Sequence, residues 1–309
     1  MSHQQAEAFH GIYVATVCPF DAKGEIDATA LSNHLEAATS SEGIVGVLIN
    51  GHAGENFLLS RFEKRRVLEI AHETIGQKAL VVCGVNAEAS AEAALHAQDV
   101  EKTGADAIMV FPPFSWALSQ DKTMVLNHHA AIIAACNLPL MLYQASVGAG
   151  QMAYLPETLA QLVQLPNVVA IKEGSWETAR YEANRFLIKS IAPHVAVMAS
   201  GDEHLFSCFA LGSEGSLVSL AAIIPDLIVG LKHALANADL DLARKLNDRI
   251  SPLAKAIYGT PPNGHATARL KTCLKLLGRL PHDATRAPIG PLPLEEVKAL
   301  EQALAAAGL

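Results

Sequence analysis

The feature that most restricts what this chain can fold into is a strict alternation of short apolar runs with helical patterns. Eight runs rich in β-branched and small apolar residues recur: Ile12–Cys18, Ile44–Ile49, Leu80–Cys83, Ala107–Phe111, Leu138–Tyr143, Val168–Lys172, Val195–Met198 and Gly215–Val218. None alternates apolar with polar residues, so each reads as a strand covered on both faces, the habit of a parallel sheet. Helical patterns follow each in turn, over Ala28–Ser41, Phe62–Ile75, Ala91–Thr103, Thr123–Cys136, Glu157–Leu165, Glu177–Ile191, Glu203–Leu211 and Asp226–Ala236. Ser60 with Glu63 matches a capping box, Ser90 precedes an alanine-rich helix, and Pro225 suits a first helical turn. Gly104, Gly212 and Gly278 read as left-handed helix stops. Eight such units in about 230 residues predict an α/β fold, a closed (β/α)8 TIM barrel over residues 1–238. No Gly-x-Gly-x-x-Gly follows a strand, which argues against an open dinucleotide-binding sheet. Residues 239–309 lack a strand pattern. They read as a C-terminal extension of three helices, Leu240–Ile250, Ala266–Leu277 and Leu294–Ala307, punctuated by Pro252 and the Pro261-Pro262 turn.

Composition limits the partners. Half of the residues are hydrophobic and 5% aromatic, so the core is aliphatic. A formal charge of -8 without a basic stripe argues against a nucleic-acid partner. Cys18, Cys83, Cys136, Cys208 and Cys273 are scattered in apolar contexts with no metal-like spacing, which fits buried thiols in a reducing compartment. The N-terminus lacks the basic start and apolar core of a signal peptide. Residues 130–156 carry no Asp, Glu, Lys or Arg, yet Asn137, Pro139, Gln144 and Gly148 interrupt them before an apolar run of ~18 residues accumulates. The expectation is therefore a cytoplasmic protein without a membrane span.

In a barrel, chemistry gathers at the C-terminal ends of the strands. The sixth strand, Val168-Val169-Ala170-Ile171, runs straight into Lys172 before Glu173-Gly174-Ser175 breaks it. An amine held where apolar walls end is desolvated, loses its proton more readily, and becomes a nucleophile toward carbonyl carbon. The competing reading is a lysine reaching solvent beside Glu173. Tyr143 ends the neighbouring strand, and a phenol there can move protons on and off a carbinolamine. Gly51-His52-Ala53-Gly54-Glu55, after the second strand, is glycine-rich enough to offer backbone amides to a carboxylate.

These residues resemble those of the dihydrodipicolinate synthase / N-acetylneuraminate lyase family, enzymes that form an imine with a keto acid. Gly51-His52-Ala53-Gly54-Glu55 is similar to its carboxylate-binding turn, and Tyr143 to Gly150 to its tyrosine segment. Ile171-Lys172-Glu173 resembles the imine-lysine strand, and Ser200-Gly201-Asp202-Glu203 the Ser-Gly-Asp-Asp turn. The resemblance implies Lys172 and Tyr143 as catalytic residues. It implies Gly51, Ala53, Gly54, Phe114, Gly148, Gly201 and Leu217 as substrate-binding. It also implies no cofactor beyond the lysine itself, no metal, and a homotetramer or homodimer. The departures matter. Where the lysine-biosynthesis synthase has an arginine for its second substrate this chain has Gly148. Where that enzyme relays protons through a threonine and a second tyrosine, this chain has His52 and Phe114. His52, with an unperturbed pKa of ~6.5, is read either as a replacement proton relay or as a neutral donor to the substrate carboxylate. The expected activity is a class I lyase cleaving or dehydrating a 2-keto-3-deoxy sugar acid. The alternatives are dihydrodipicolinate synthase activity and a non-catalytic keto-acid sensor. A metal-dependent aldolase is disfavoured, since His128 and His129 fall in a helix pattern away from the strand ends.

Overall fold

The computed structural model describes residue 7 and residues 9–309. Eight strands close into one parallel barrel in chain order. They are β1 (Gly11–Ala15), β2 (Ile44–Ile49), β3 (Leu80–Val85), β4 (Ala107–Val110), β5 (Leu140–Gln144), β6 (Val168–Glu173), β7 (Ala196–Ala199) and β8 (Gly215–Val218). β8 pairs back onto β1, with Tyr13 opposite Leu217. All eight strands are largely or wholly buried, as continuous apolar runs require when helices cover the outside.

Helices α1 (Ala28–Ala38), α2 (Arg61–Ile75), α3 (Ser90–Thr103), α4 (Lys122–Ile133), α5 (Pro156–Leu162), α6 (Thr178–Ile191), α7 (Leu205–Ala210) and α8 (Pro225–Ala236) follow the strands. The start of α2 is a complete capping box. Ser60 Oγ accepts the Glu63 amide, and Glu63 takes the Ser60 amide at 2.8 Å. Gly104 ends α3 at φ 95°, a conformation that glycine adopts without strain. Three expectations change. Ser90 is the first residue of α3 rather than its cap, and its hydroxyl instead meets His128 Nδ1 at 3.0 Å. Glu203 and His204 lie before α7, in the turn that shapes the barrel mouth. The first strand stops at Ala15, because the Val17 amide turns aside to His34 Nε2 at 3.3 Å.

Residues 239–309 carry α9 (Leu240–Tyr258), α10 (Ala266–Leu276) and α11 (Leu294–Ala307). Asp239 caps α9 by accepting the Leu242 amide. Pro252 does not end α9, contrary to expectation. The buried face of Ile250, Leu253, Ala254 and Ile257 carries the helix past the one missing amide. Among the described residues no helix is long and apolar enough to cross a membrane, and all five cysteines are buried and free.

One buried ion pair joins the C-terminal helices to the barrel mouth. Glu55, in the turn after β2, is fully buried and pairs with Lys271 of α10. Its other oxygen accepts the Arg286 amide at 3.0 Å, and Lys271 also donates to the Ala284 carbonyl at 2.8 Å. The Lys271 and Arg286 cations both lie over the Phe20 ring, at 4.2 and 4.5 Å. Removing one member of such a pair strands a buried charge. Lys271→Met is therefore expected to lower unfolding free energy by about 3–5 kcal/mol in denaturant titration. A loss under about 1 kcal/mol, the value of a surface pair, would refute this.

Candidate active site

A cavity of about 550 Å³ opens at the C-terminal mouth of the barrel. Its walls come from the ends of β5 to β8, the turns after β2 and β4, and the C-terminal helices. Among the described residues, Lys172 is the only lysine or arginine lining it. The pleat explains how. Successive side chains of β6 alternate, so Lys172 and Glu173 face opposite ways. Glu173 sits in the helix layer, where Asn184 Nδ2 of α6 and Ser175 Oγ donate to it at 2.7 and 2.9 Å. The competing reading had Lys172 reaching solvent beside Glu173, whereas Lys172 lines the cavity and Glu173 is held by Asn184 and Ser175. The residue that does act on Lys172 is Asp202, in the turn after β7. Asp202 is buried and accepts the Leu220 amide at 2.9 Å.

Burial lowers the Lys172 pKa, and the Asp202 charge pulls it partly back. Burial raises the Asp202 carboxyl, against the pull of the Leu220 amide and Lys172. The two groups thus approach each other in acidity, so a neutral amine beside a carboxyl becomes accessible near neutrality. Tyr143 stands opposite Lys172 in the β5–β6 register, with the amine 5.7 Å from its ring centroid. Burial, followed by the charge of Glu173, pushes the phenol up to about 12, so it remains a proton donor.

His52 opens a 3-10 turn, His52–Gly54, and is walled by aromatic rings. Phe111 lies at 4.6 Å, Tyr143 at 5.3 Å and Phe114 at 5.9 Å between centroids. Its Nε2 is buried without a hydrogen-bond partner. Burial first, and the Lys172 charge second, push its pKa down to about 3. The imidazole is therefore neutral at physiological pH. A neutral ring thus stands beside the lysine, the state that the donor reading of His52 calls for.

Ala53 and Phe114 also reach the cavity, while five expected contacts fall outside its lining. Gly51 and Gly54 lie beneath the turn, where the Gly51 carbonyl accepts the Gly54 and Asn56 amides. Gly148 rides on an exposed 3-10 segment, and Ser146 is the residue of that loop that faces inward. Gly201 is buried and shapes the turn by accepting the His204 amide. Leu217 is fully buried in the barrel, in register with Tyr13.

Several lining residues were invisible as site residues in the sequence: Trp176, Tyr258, Asn263 and Thr267. Trp176 has φ 61°, a left-handed conformation rare for a bulky residue. Tyr258 ends α9 and packs on Trp176 at 5.2 Å. Among the described residues no three His, Cys, Asp or Glu side chains gather as metal ligands would. His128 and His129 are taken up inside the helix layer, the latter with Nδ1 2.8 Å from the Val125 carbonyl.

A parallel barrel with a desolvated lysine ending its sixth strand, facing a phenol on the fifth, defines an aldolase-like class of protein. The profile of the dihydrodipicolinate synthetase family matches residues 8–307, and the chain belongs to that family. It is accordingly an aldolase-type lyase. It is similar to the 4-hydroxy-tetrahydrodipicolinate synthase of Bartonella quintana, 31% identical over 304 residues, covering 97% of this chain and 98% of that protein. The enzyme of the same name from Bartonella tribocorum is 30% identical over 303 residues, with coverage of 97% and 98%. The dihydrodipicolinate synthase structure from Oceanobacillus iheyensis superimposes with a TM-score of 0.89 over 99% of both chains, and at 21% identity it speaks for the fold alone.

The pH dependence of the amine follows from its surroundings. Since burial lowers the Lys172 pKa, neutral amine accumulates at lower pH than for an ordinary lysine. Because the Asp202 charge raises that pKa, Asp202→Asn should shift the profile further down. Borohydride trapping of a keto acid, followed against pH, reads both. A midpoint at the ordinary lysine value of about 10.4, or an upward shift in the variant, would contradict this account.

Proposed function

We propose that the chain is an imine-forming lyase of a 2-keto acid, and that its substrate is a 2-keto-3-deoxy sugar acid. The observation that carries this is the cavity lining. Beside the single amine of Lys172 stand the hydroxyls of Ser146, Ser200, Ser219, Thr267 and Tyr258, the amide of Asn263, and the carboxyls of Asp202 and Glu203. Such walls suit a hydroxylated carbon chain. A second carboxylate on the substrate would be buried against two acids with no guanidinium to offset its desolvation.

Lys172 attacks C2 of the keto acid, and Tyr143 hands a proton to the departing carbinolamine oxygen. The protonated imine then draws electrons from C3. Either the C3–C4 bond breaks to release an aldehyde, or C3 loses a proton and the C4 hydroxyl leaves as water. His52 and Ala53 border the end of the cavity where the C1 carboxylate sits, His52 as a neutral hydrogen-bond donor. The nucleophile, the electron sink and the proton carriers in this scheme are all side chains of the protein.

The second reading is the reaction named for the Bartonella relatives, and their identity of 30–31% favours it. It requires a cation for the second substrate that this cavity does not supply. Turnover of five- and six-carbon 2-keto-3-deoxy acids, set against condensation of pyruvate with aspartate semialdehyde, separates the two. Faster condensation would overturn the sugar-acid assignment while leaving the lysine chemistry intact. The lysine chemistry is tested by reduction with borohydride in the presence of pyruvate. The mass of one pyruvate adduct is expected on Lys172 and absent from Lys172→Ala, and an adduct on Lys122 or Lys271 would refute it. Turnover is expected to survive exhaustive chelation, because the imine replaces a Lewis acid. Loss of activity in EDTA with recovery in zinc would place the protein in another mechanistic class.

A further inference from the structure

After β8 the chain runs along a second cavity, of about 560 Å³, that shares no lining residue with the barrel mouth. Its walls are the C-terminal half of α1, the segment from Ala221 to Leu227, and parts of α9, α10 and α11. Three kinds of hydrogen-bond donor meet there. The first is His34 of α1, which is 3% exposed and lines the space. Its Nε2 accepts the Val17 amide at 3.3 Å, so that nitrogen carries no proton. Burial, with the Lys271 and Arg279 charges next, pushes the ring down to about 4, and the neutral ring keeps its proton on Nδ1. Nδ1 has no partner among the described residues, and the cavity is the open space beside the ring.

The second kind is a pair of guanidinium groups. Arg249 gives Nε and Nη2 to the Ala307 carbonyl at 3.1 and 2.6 Å. Arg279 gives Nη1 to the carbonyls of Ala222 and Ile223 at 3.3 and 2.7 Å. Neither forms an ion pair among the described residues, so both positive charges border the cavity unmatched. The third is the first turn of α8, a helix of 12 residues. Its cap residue, Ile224, offers no side-chain acceptor. The amides of Asp226 and Leu227 find none in the backbone either, at the positive end of the helix dipole. The one opposing charge in the lining, Asp226, is exposed to solvent.

The remaining walls include Ala38, Ala221, Ile223, Leu227 and Leu274, all of them buried. A bare inorganic ion would leave that apolar surface and most of the volume uncovered, whereas ligand pockets of this size close around an apolar body with a few fixed polar contacts. We propose that this cavity binds a small organic carboxylate. The anionic head lies among His34, Arg249, Arg279 and the start of α8, and the apolar body lies against α1 and α10. Charge-assisted hydrogen bonds from a guanidinium supply both affinity and orientation for such a head.

Titration calorimetry with 4-methylpentanoate checks this, in a Lys172→Ala background that removes the cation of the barrel mouth. The acid is expected to bind at one site, and 4-methyl-1-pentanol, the same body without the charge, is expected not to bind. Arg249→Gln is expected to weaken the acid about 10–100-fold, the size of a lost hydrogen bond to a charged group. Ala37→Trp places a large ring at an exposed position of the rim. It is expected to abolish binding at an unchanged melting temperature. Absence of saturable binding overturns the proposal, and so does binding of the alcohol as tightly as the acid. Unchanged affinity in Ala37→Trp overturns it as well, since the acid would then sit elsewhere. Inorganic phosphate binding as tightly as the acid would overturn the ligand class, because the apolar walls would then contribute nothing.

Discussion

The barrel mouth depends on the buried pair between Glu55 and Lys271. The turn after β2 that brings His52 and Ala53 to the cavity is closed by Glu55 at φ 55°, a left-handed conformation. Such a conformation in a residue with a side chain costs roughly 1–3 kcal/mol. Lys271 and the Arg286 amide offset that strain by fixing the carboxylate from the C-terminal side. The same helices answer the other half of the problem. Arg269, almost fully buried, donates to the carbonyls of Ile257, Thr260 and Pro261. This holds the segment on both sides of Tyr258. Helices outside the eightfold repeat thus shape the mouth as much as the strands do.

Within the cavity, one cation organises the rest. The Lys172 charge helps to keep His52 neutral, and it pulls the Asp202 carboxyl down against its burial. Glu173, its sequence neighbour, is removed to the helix layer, where Asn184 and Ser175 hold it. Had the strand register been shifted by one residue, the carboxylate would face the cavity and the amine the helices. Asp202, from a different strand end, is the acid left within reach of the amine. A loop can adjust its distance in a way that a strand neighbour cannot.

Much of this was legible in the sequence. The eight strands were visible because a strand covered on both faces is an unbroken apolar run, and each run of this chain ends in a turn signal. Lys172 stood out because it is the first charge after such a run, and Tyr143 because it ends the adjacent strand. The mouth was less legible. Leu217 follows the strand-end rule, but it is packed fully inside the barrel against β1. Gly148 lies in the expected loop, yet the local 3-10 path turns Ser146 inward instead. Tyr258 could not be found from periodicity, since its place depends on how α9 crosses the barrel. Pro252 misled for a related reason, because apolar burial along α9 outweighs one lost amide bond.

The ion pair at Glu55 also has a timing. Its two partners are 216 positions apart in the chain. At a synthesis rate of about 5–20 residues per second, Glu55 leaves the ribosome roughly 10–40 s before Lys271 does. During that interval its carboxylate has no buried cation to meet, and burying it alone is unfavourable. The turn after β2 therefore stays open to water while the strands behind it are already being made. The cavity is assembled last, when the final tenth or so of the chain arrives.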